Sequence, residues 1–349
     1  MAAINETLVQ LVLKEMLKYK PSLQKVLSTG EEEELNDPRY TGQLVIRNFP
    51  SPIGVELRRL FSVSLRQPDK IRLEQIYFST ERCLQFISFI LVSQLWNEER
   101  QNRILIPDNF GKEFAIRIQT LNIDNYVWLI RSIRILFEDN SVTWFMPEIR
   151  DNLDNSFFKS TNFQSPPLND TGLYYFDIPA GEIENACRES EEKLISLLQH
   201  IAFLCKYRLA SIQNIRVIKA KYRAPQYLHS INILGSDNEG PRSMEIVRDN
   251  CVESHSVLIL KSQINLDEFI NLTPLIIDTG SFLMEDKENF DVRNDILLFH
   301  MAKGNHLIYK GSEATERCDL RTLRNYPLLL SQFRDMVETI GGEKRVPGS

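Results

Sequence analysis

The chain has 349 residues, enough for two domains or one elaborate one, and with 43% hydrophobic and 25% charged residues it has the composition of a soluble globular protein. That balance excludes wholesale disorder and fibrous structure, and the formal charge of -6 argues against broad electrostatic capture of nucleic acid while leaving room for a local basic patch. Five cysteines (Cys83, Cys187, Cys205, Cys251, Cys318) form no CxxC pair, which fits reduced thiols in a cytoplasmic protein rather than a disulfide framework or a zinc site.

In chain order, residues 6–18 read as an amphipathic helix, because Glu6 and Lys14 fall where an export signal would be apolar. An acidic linker, residues 30–38 (GEEEELNDP), follows. Ser51 and Pro52 open a helix to about Leu65, proline being tolerated in a first turn. Gln67-Pro68-Asp69 then starts a long helix to about Gln101, free of Pro and Gly, with apolar positions three and four apart. Its most apolar stretch, residues 84–96, contains Gln85, Ser88, Ser93 and Gln94 and falls short of the roughly 20 apolar residues of a membrane span, so it is expected as a buried core helix. Residues 124–137 and 182–208 predict two more helices, with residues 151–179 (rich in Asn, Asp, Ser and Pro) as a long loop between them.

Beyond residue 208 the period falls towards two. Residues 212–222, 228–234, 257–261 and 272–278 read as strands, and residues 295–309 as a hairpin turning at Gly304-Asn305. Residues 326–340 predict a last helix. The expected fold class is α+β: a helical domain (1–207), a β-rich α+β domain (208–341) with a mainly antiparallel sheet of four to six strands and a C-terminal helix, and a disordered tail (342–349).

The motifs that carry chemistry are mostly missing. All five histidines (His200, His229, His255, His300, His306) follow residue 199, and there is no GxxxxGK[ST], GxGxxG or GxSxG, so phosphate loops, dinucleotide loops and nucleophile elbows lack their glycines. Arg223 and His229 have the spacing of some helical ribonucleases, but Pro225 and a strand-like pattern interrupt it. Glu245, Asp249 and Lys261 are the nearest set to a metal-dependent nuclease, loosely spaced. His255 and His300 read as histidines hydrogen-bonded at strand ends, and Cys83 and Cys205 as core fillers. Neither a catalytic residue, a metal site nor a cofactor is assigned.

Two surface readings remain. Arg131 and Arg134 share a helix face and, with Arg47, Arg58, Arg59, Arg66 and Arg72, define a candidate phosphate- or nucleic-acid-binding groove, the alternative being a solvated face paired with carboxylates. Trp128, Trp144, Phe145 and Met146, with Phe157, Phe158 and Phe163, make a candidate partner-binding surface, or else buried core.

The segments PIGVELRRLF (52–61), KIRLEQIYFSTERCLQFISFILVSQLW (70–96), HSINILGSD (229–237) and EFINLTPLIIDTGSF (268–282), leading into the hairpin DILLFHMAKGNHLIYKG (295–311), resemble parts of uncharacterised accessory modules of bacterial signalling and conflict (defence) systems. The resemblance carries no catalytic residue. It implies a non-catalytic interaction or sensor component of a cytoplasmic multi-protein system, with another protein as partner, nucleic acid as a possible one, and no membrane. The alternatives from other classes are the metal-dependent phosphodiesterase or nuclease and the arginine groove.

Overall fold

The computed structural model describes residues 3–29, 38–168, 174–235, 242–261, 267–282, 296–311, 320–323 and 327–342. The expected acidic linker falls outside these apart from Pro38, and the expected tail apart from Gly342. The fold is α+β. Its helices are α1 (Ala3–Tyr19), α2 (Ser22–Thr29), α3 (Pro38–Asn48), α4 (Ser51–Leu60), α5 (Lys70–Arg100), α6 (Asp108–Arg117), α7 (Ile123–Asp139), α8 (Pro147–Asn152), α9 (Asn155–Thr161) and α10 (Ile183–His200), with 3-10 turns at Val63–Leu65, Ala180–Glu182 and Ala202–Lys206.

The long helix α5 forms where the apolar spacing places it. Asp69 caps it, its Oδ1 accepting the Arg72 amide at 2.8 Å and so satisfying one of the donors a helix start leaves unpaired. At 31 residues it is about 46 Å long at 1.5 Å per residue. Every residue from Arg82 to Leu95 is buried, as expected for a helix without a polar face. Its buried hydroxyls turn back on its own backbone: Ser79 donates to the Gln75 carbonyl, Thr80 to Ile76 and Ser88 to Leu84, at 2.8–2.9 Å.

The segment expected as a loop from residue 151 holds α9. Asp154 caps it, accepting the Phe157 amide at 2.8 Å and the Ser156 hydroxyl, and Asn162 ends it in the left-handed conformation. Asn, Asp and Ser read as loop formers in sequence, but the same side chains stop and start short helices. The Phe157 amide, then the Ser156 hydroxyl, hold the Asp154 carboxyl below the usual carboxylate range.

The strands form two antiparallel sheets rather than one. The first has the order β3-β2-β1-β4-β5, from β1 (Arg208–Ile218), β2 (Gln226–Ile233), β3 (Arg242–Arg248), β4 (Val257–Leu260) and β5 (Phe269–Asn271). The second has the order β6-β7-β8-β9, from β6 (Ile276–Asp278), β7 (Ile296–Lys303), β8 (His306–Gly311) and β9 (Leu320–Leu323), and is followed by α12 (Pro327–Gly341); a four-residue helix, α11 (Thr279–Phe282), follows β6. The β7–β8 turn falls at Gly304-Asn305 as expected, with Gly304 at φ +57, a conformation open to glycine without a Cβ penalty. Ala210, Ile212, Ile231, Val252, Leu258 and Leu260 form the core of the first sheet. Phe299 of β7 packs its ring 4.7 Å from Phe333 of α12 and 5.8 Å from Tyr309 of β8.

By contacts the chain divides into two units. The first comprises Met1–Ser88, Asn122–Arg134 and Trp144–Tyr207; the second comprises Phe89–Leu121, Ile135–Thr143 and Arg208–Ser349, so α6 belongs with the sheets. Within the second unit, a Cβ on Gly111 of α6 would lie 2.8 Å from the Gly341 carbonyl oxygen at the end of α12. Gly111→Ala should therefore lower the free energy of unfolding by about 1–3 kcal/mol through overpacking, read as a reduced denaturant midpoint with an unchanged m-value. Asp154→Ala should cost about 1 kcal/mol at pH 7. Because the folded-state carboxyl titrates lower than the unfolded one, this cap contribution is fully present above about pH 4 and fades as the pH falls further, so wild type and variant should converge in acid.

Candidate functional site

The first unit contains a cleft of about 510 Å³, formed by α1, the chain entering α5, the Ala180–Glu182 turn and the first half of α10. Its volume is within the range of small-molecule pockets. Arg72, at its floor, is fully buried. The Nη1 group donates to the Leu65 carbonyl at 2.7 Å, and Nη2 donates to Asn5 Oδ1 of α1 and to Glu191 Oε2 of α10, each at 2.8 Å. A further donor, Nε, is buried with no hydrogen-bond partner among the described residues. A buried charged donor left without an acceptor is costly, and of the buried side-chain atoms without a hydrogen-bond partner among the described residues, this one belongs to a residue that lines the cleft.

Around it stand Arg188, Glu184 and Glu192, exposed on α10, and Glu191, which is half-buried. Cys187 also lines the cleft; its Sγ donates to the Asp69 carbonyl at 3.4 Å, and burial pushes the thiol up to about 11. A thiol so held is protonated at neutral pH and a poor nucleophile. The cleft thus offers opposite charges side by side, with a buried donor and no imidazole among its lining residues. A sequence signal for Arg72 existed: Arg72, Gln75, Ser79 and Arg82 recur three and four apart inside an apolar helix.

Of the aromatics expected as a partner surface, most are core. Trp144 retains 9% of its exposure and Met146 1%, while Trp128 and Phe145 are half-buried. The Phe145 ring lies 6.1 Å from Tyr207, which packs edge-on against Phe203, which in turn meets Tyr19 of α1. Phe157, Phe158 and Phe163 pack on one another, and Phe157 also packs on His200, whose Nδ1 is bonded to the Ser196 carbonyl oxygen at 2.7 Å. A surface of these residues has little area to offer a partner, and the core alternative describes them.

Of the candidate groove's arginines, Arg47 is exposed, Arg72 is buried in the cleft lining, and Arg58, Arg59, Arg131 and Arg134 are half-buried and locally engaged. Arg59 pairs with Glu56 at 2.9 Å within α4, beside Arg58; Arg131 of α7 donates to Asn155 at 2.9 Å, and Arg134 acts on the Asp154 carboxylate. The paired-face alternative fits them better than an open phosphate groove.

In the second unit, His229 on β2 is fully buried: its Nε2 accepts the Val252 amide at 3.1 Å, and its Nδ1 lies 3.1 Å from the Tyr227 carbonyl oxygen. Nε2 is therefore the acceptor and Nδ1 carries the proton, which occupies both nitrogens and makes His229 structural rather than a partner for Arg223. Burial lowers its pKa. Glu245 pairs with Arg216, Asp249 accepts from Gln226 and Lys261 pairs with Glu268. Since β3 and β4 are three strand spacings apart, about 14 Å at about 4.8 Å each, Lys261 does not converge on Glu245. Among the described residues no group of three or more His, Cys, Asp or Glu is placed to hold a metal ion.

His255, at φ +61, has Nδ1 2.8 Å from the Ser281 carbonyl oxygen, and His300 is buried at the bulge of β7. Nearby, the Asp278 carboxylate accepts from the Ser211 hydroxyl, the Gln213 amide and the Gly280 amide. Those three donors join the bulge of β1 to β6 and cap α11, a structural role. Cys83 is fully buried and burial raises its thiol pKa strongly, in keeping with a core filler. Among the described residues, no helix is long and apolar enough to cross a membrane. No family model, curated protein or solved structure matches the chain.

Arg72→Ala should destabilise by about 3–5 kcal/mol, because Glu191 loses its counter-charge in a largely dry setting, whereas Arg72→Met combined with Glu191→Met should recover most of the loss; chemical denaturation of the three proteins checks this. For His229, the unfolded chain binds its proton at a higher pH than the folded one. Stability should therefore be full above about pH 6.5 and decline as the pH falls below that value, and His229→Phe should flatten this part of a stability–pH profile.

Proposed function

We propose that this chain is a non-catalytic sensor component that holds a small zwitterionic ligand in the cleft of the first unit and passes the occupied state to a partner protein. The observation that supports it is a cleft lined by the fully buried Arg72, whose Nε has no partner among the described residues, and by exposed side chains of both signs of charge. A carboxylate on the ligand faces Arg188 and lies over the buried Arg72 guanidinium, whose positive charge favours it there. A cationic group three to five bonds away faces Glu184 and Glu192. A site that offers hydrogen bonds to both ends of a ligand rejects analogues lacking either end, because its own polar groups are then left unpaired.

Binding rather than turnover fits the protonated Cys187 thiol and a lining without an imidazole. A bacterial signalling or defence setting is the expectation attached to the sequence resemblance, and a protein partner is part of the same proposal.

The test is a thermal-shift and calorimetric titration with free α-amino acids, using succinate and putrescine as controls that carry charge of one sign only. At least one amino acid should raise the melting temperature in the millimolar range while both controls fail. Arg188→Ala and Glu192→Gln, both at exposed positions, should each weaken that response by about tenfold, the scale of one lost charge-assisted hydrogen bond. Equal responses to the controls, or none to any amino acid, would sink the reading.

A further inference from the structure

In the second unit, the β1–β2 hairpin runs one residue pair past the end of the third strand and closes in a projecting loop, residues 219–225, which with Arg216–Ile218 and Gln226 forms an exposed ribbon tip. Val217 pairs with Tyr227 and Ile218 with Gln226, while β3 ends at Arg248 opposite Tyr227, so residues 219–225 lie beyond its end. Every residue from Arg216 to Gln226 is exposed. In an acidic protein this ribbon belongs to a stretch, between Glu192 and Asp237, that contains no Asp or Glu.

Four cations cluster on it: Arg216, Lys219, Lys221 and Arg223. Lys219 and Arg223 make no ion pair among the described residues, and the Arg216–Glu245 pair, with both side chains more than half exposed, is too well solvated to neutralise much. The other acid nearby, Asp249, accepts from Gln226 at the root. At the tip, Tyr222 is 93% exposed and held at φ +65, with the Lys221 ammonium 4.9 Å from its ring centroid. A bulky non-glycine residue in the left-handed region is strained, and strain of this kind clusters at sites that bind. An exposed ring flanked by cations is a stacking platform beside phosphate contacts.

We infer that the β1–β2 ribbon binds single-stranded nucleic acid, its cations on the phosphates and a base stacked on Tyr222. Single strands are favoured over duplex because a duplex hides the base faces that the ring requires. An acidic protein or an anionic membrane would use the cations but leave the ring without a flat partner. This inference is independent of the cleft.

Fluorescence anisotropy with a labelled single strand of about 20 nucleotides, the matching duplex, polyglutamate and phosphatidylserine vesicles tests it. The single strand should bind tightest, with a log–log salt slope near -3, from four cations at about 0.7 each. Charge reversal at Lys219, Lys221 and Arg223 together should abolish binding. Tyr222→Gly should weaken it at least about fivefold with the salt slope intact, the scale of one lost stacking contact. Since glycine relieves the left-handed strain, the melting temperature of Tyr222→Gly should stay level or rise, which separates lost binding from lost fold. Unchanged affinity in Tyr222→Gly, insensitivity to the charge reversal, or equal binding of duplex, polyglutamate or vesicles would each overturn the inference.

Discussion

The first unit is organised around one buried charge. A guanidinium removed from water is tolerable only if its surroundings replace the lost solvation, and Arg72 draws those replacements from the 3-10 turn before α5 (Leu65), from α1 (Asn5) and from α10 (Glu191), the last 119 residues away in sequence. Each acceptor must be correctly placed, so the group specifies which faces of these helices meet. Asp69 reinforces the arrangement: its carboxylate holds the Arg72 amide, and its carbonyl receives the Cys187 thiol from α10. Three acceptors do not exhaust the guanidinium's donors, and Nε is left buried without a partner among the described residues beside the cleft that Arg72 helps to line.

In the second unit Asp278 and His229 play a comparable part, each with its partners in place. Asp278 closes a set of hydrogen bonds between the bulge of β1 and the end of β6, and His229 joins β2 to the chain at Val252. Bulges re-aim strands, and that of β1 falls at Gln213, where the strand leaves its buried half for the exposed ribbon. Polar groups with every partner in place rigidify a sheet; those lacking one, as in the cleft, point to something further.

The two candidate binding features differ in chemistry. The cleft presents both signs of charge over a small concave volume, whereas the ribbon presents one sign and a ring on a projecting surface. Concavity with mixed charge suits a small molecule with two ends; projection with uniform charge suits a polymer.

Much of the architecture was legible in the sequence because periodicity reports burial directly. The long helix from Lys70, the helix around Trp128, the β7–β8 hairpin and the final helix all follow from spacing and from their Asp, Gly and Pro boundaries. Short elements such as α9 were not, since one cap decides them against a loop-like composition. Sequence alone likewise determined the chain's charge and its lack of familiar catalytic motifs. Tertiary structure decided which side chains meet. It turned Trp144 and Met146 into core, engaged Arg59 and Arg131 with local partners, separated Lys261 from Glu245, and brought Arg72 to Glu191. Spacing along a chain specifies a face of one element, but a site is made by faces of several elements, and their pairing depends on long-range packing that no local pattern encodes.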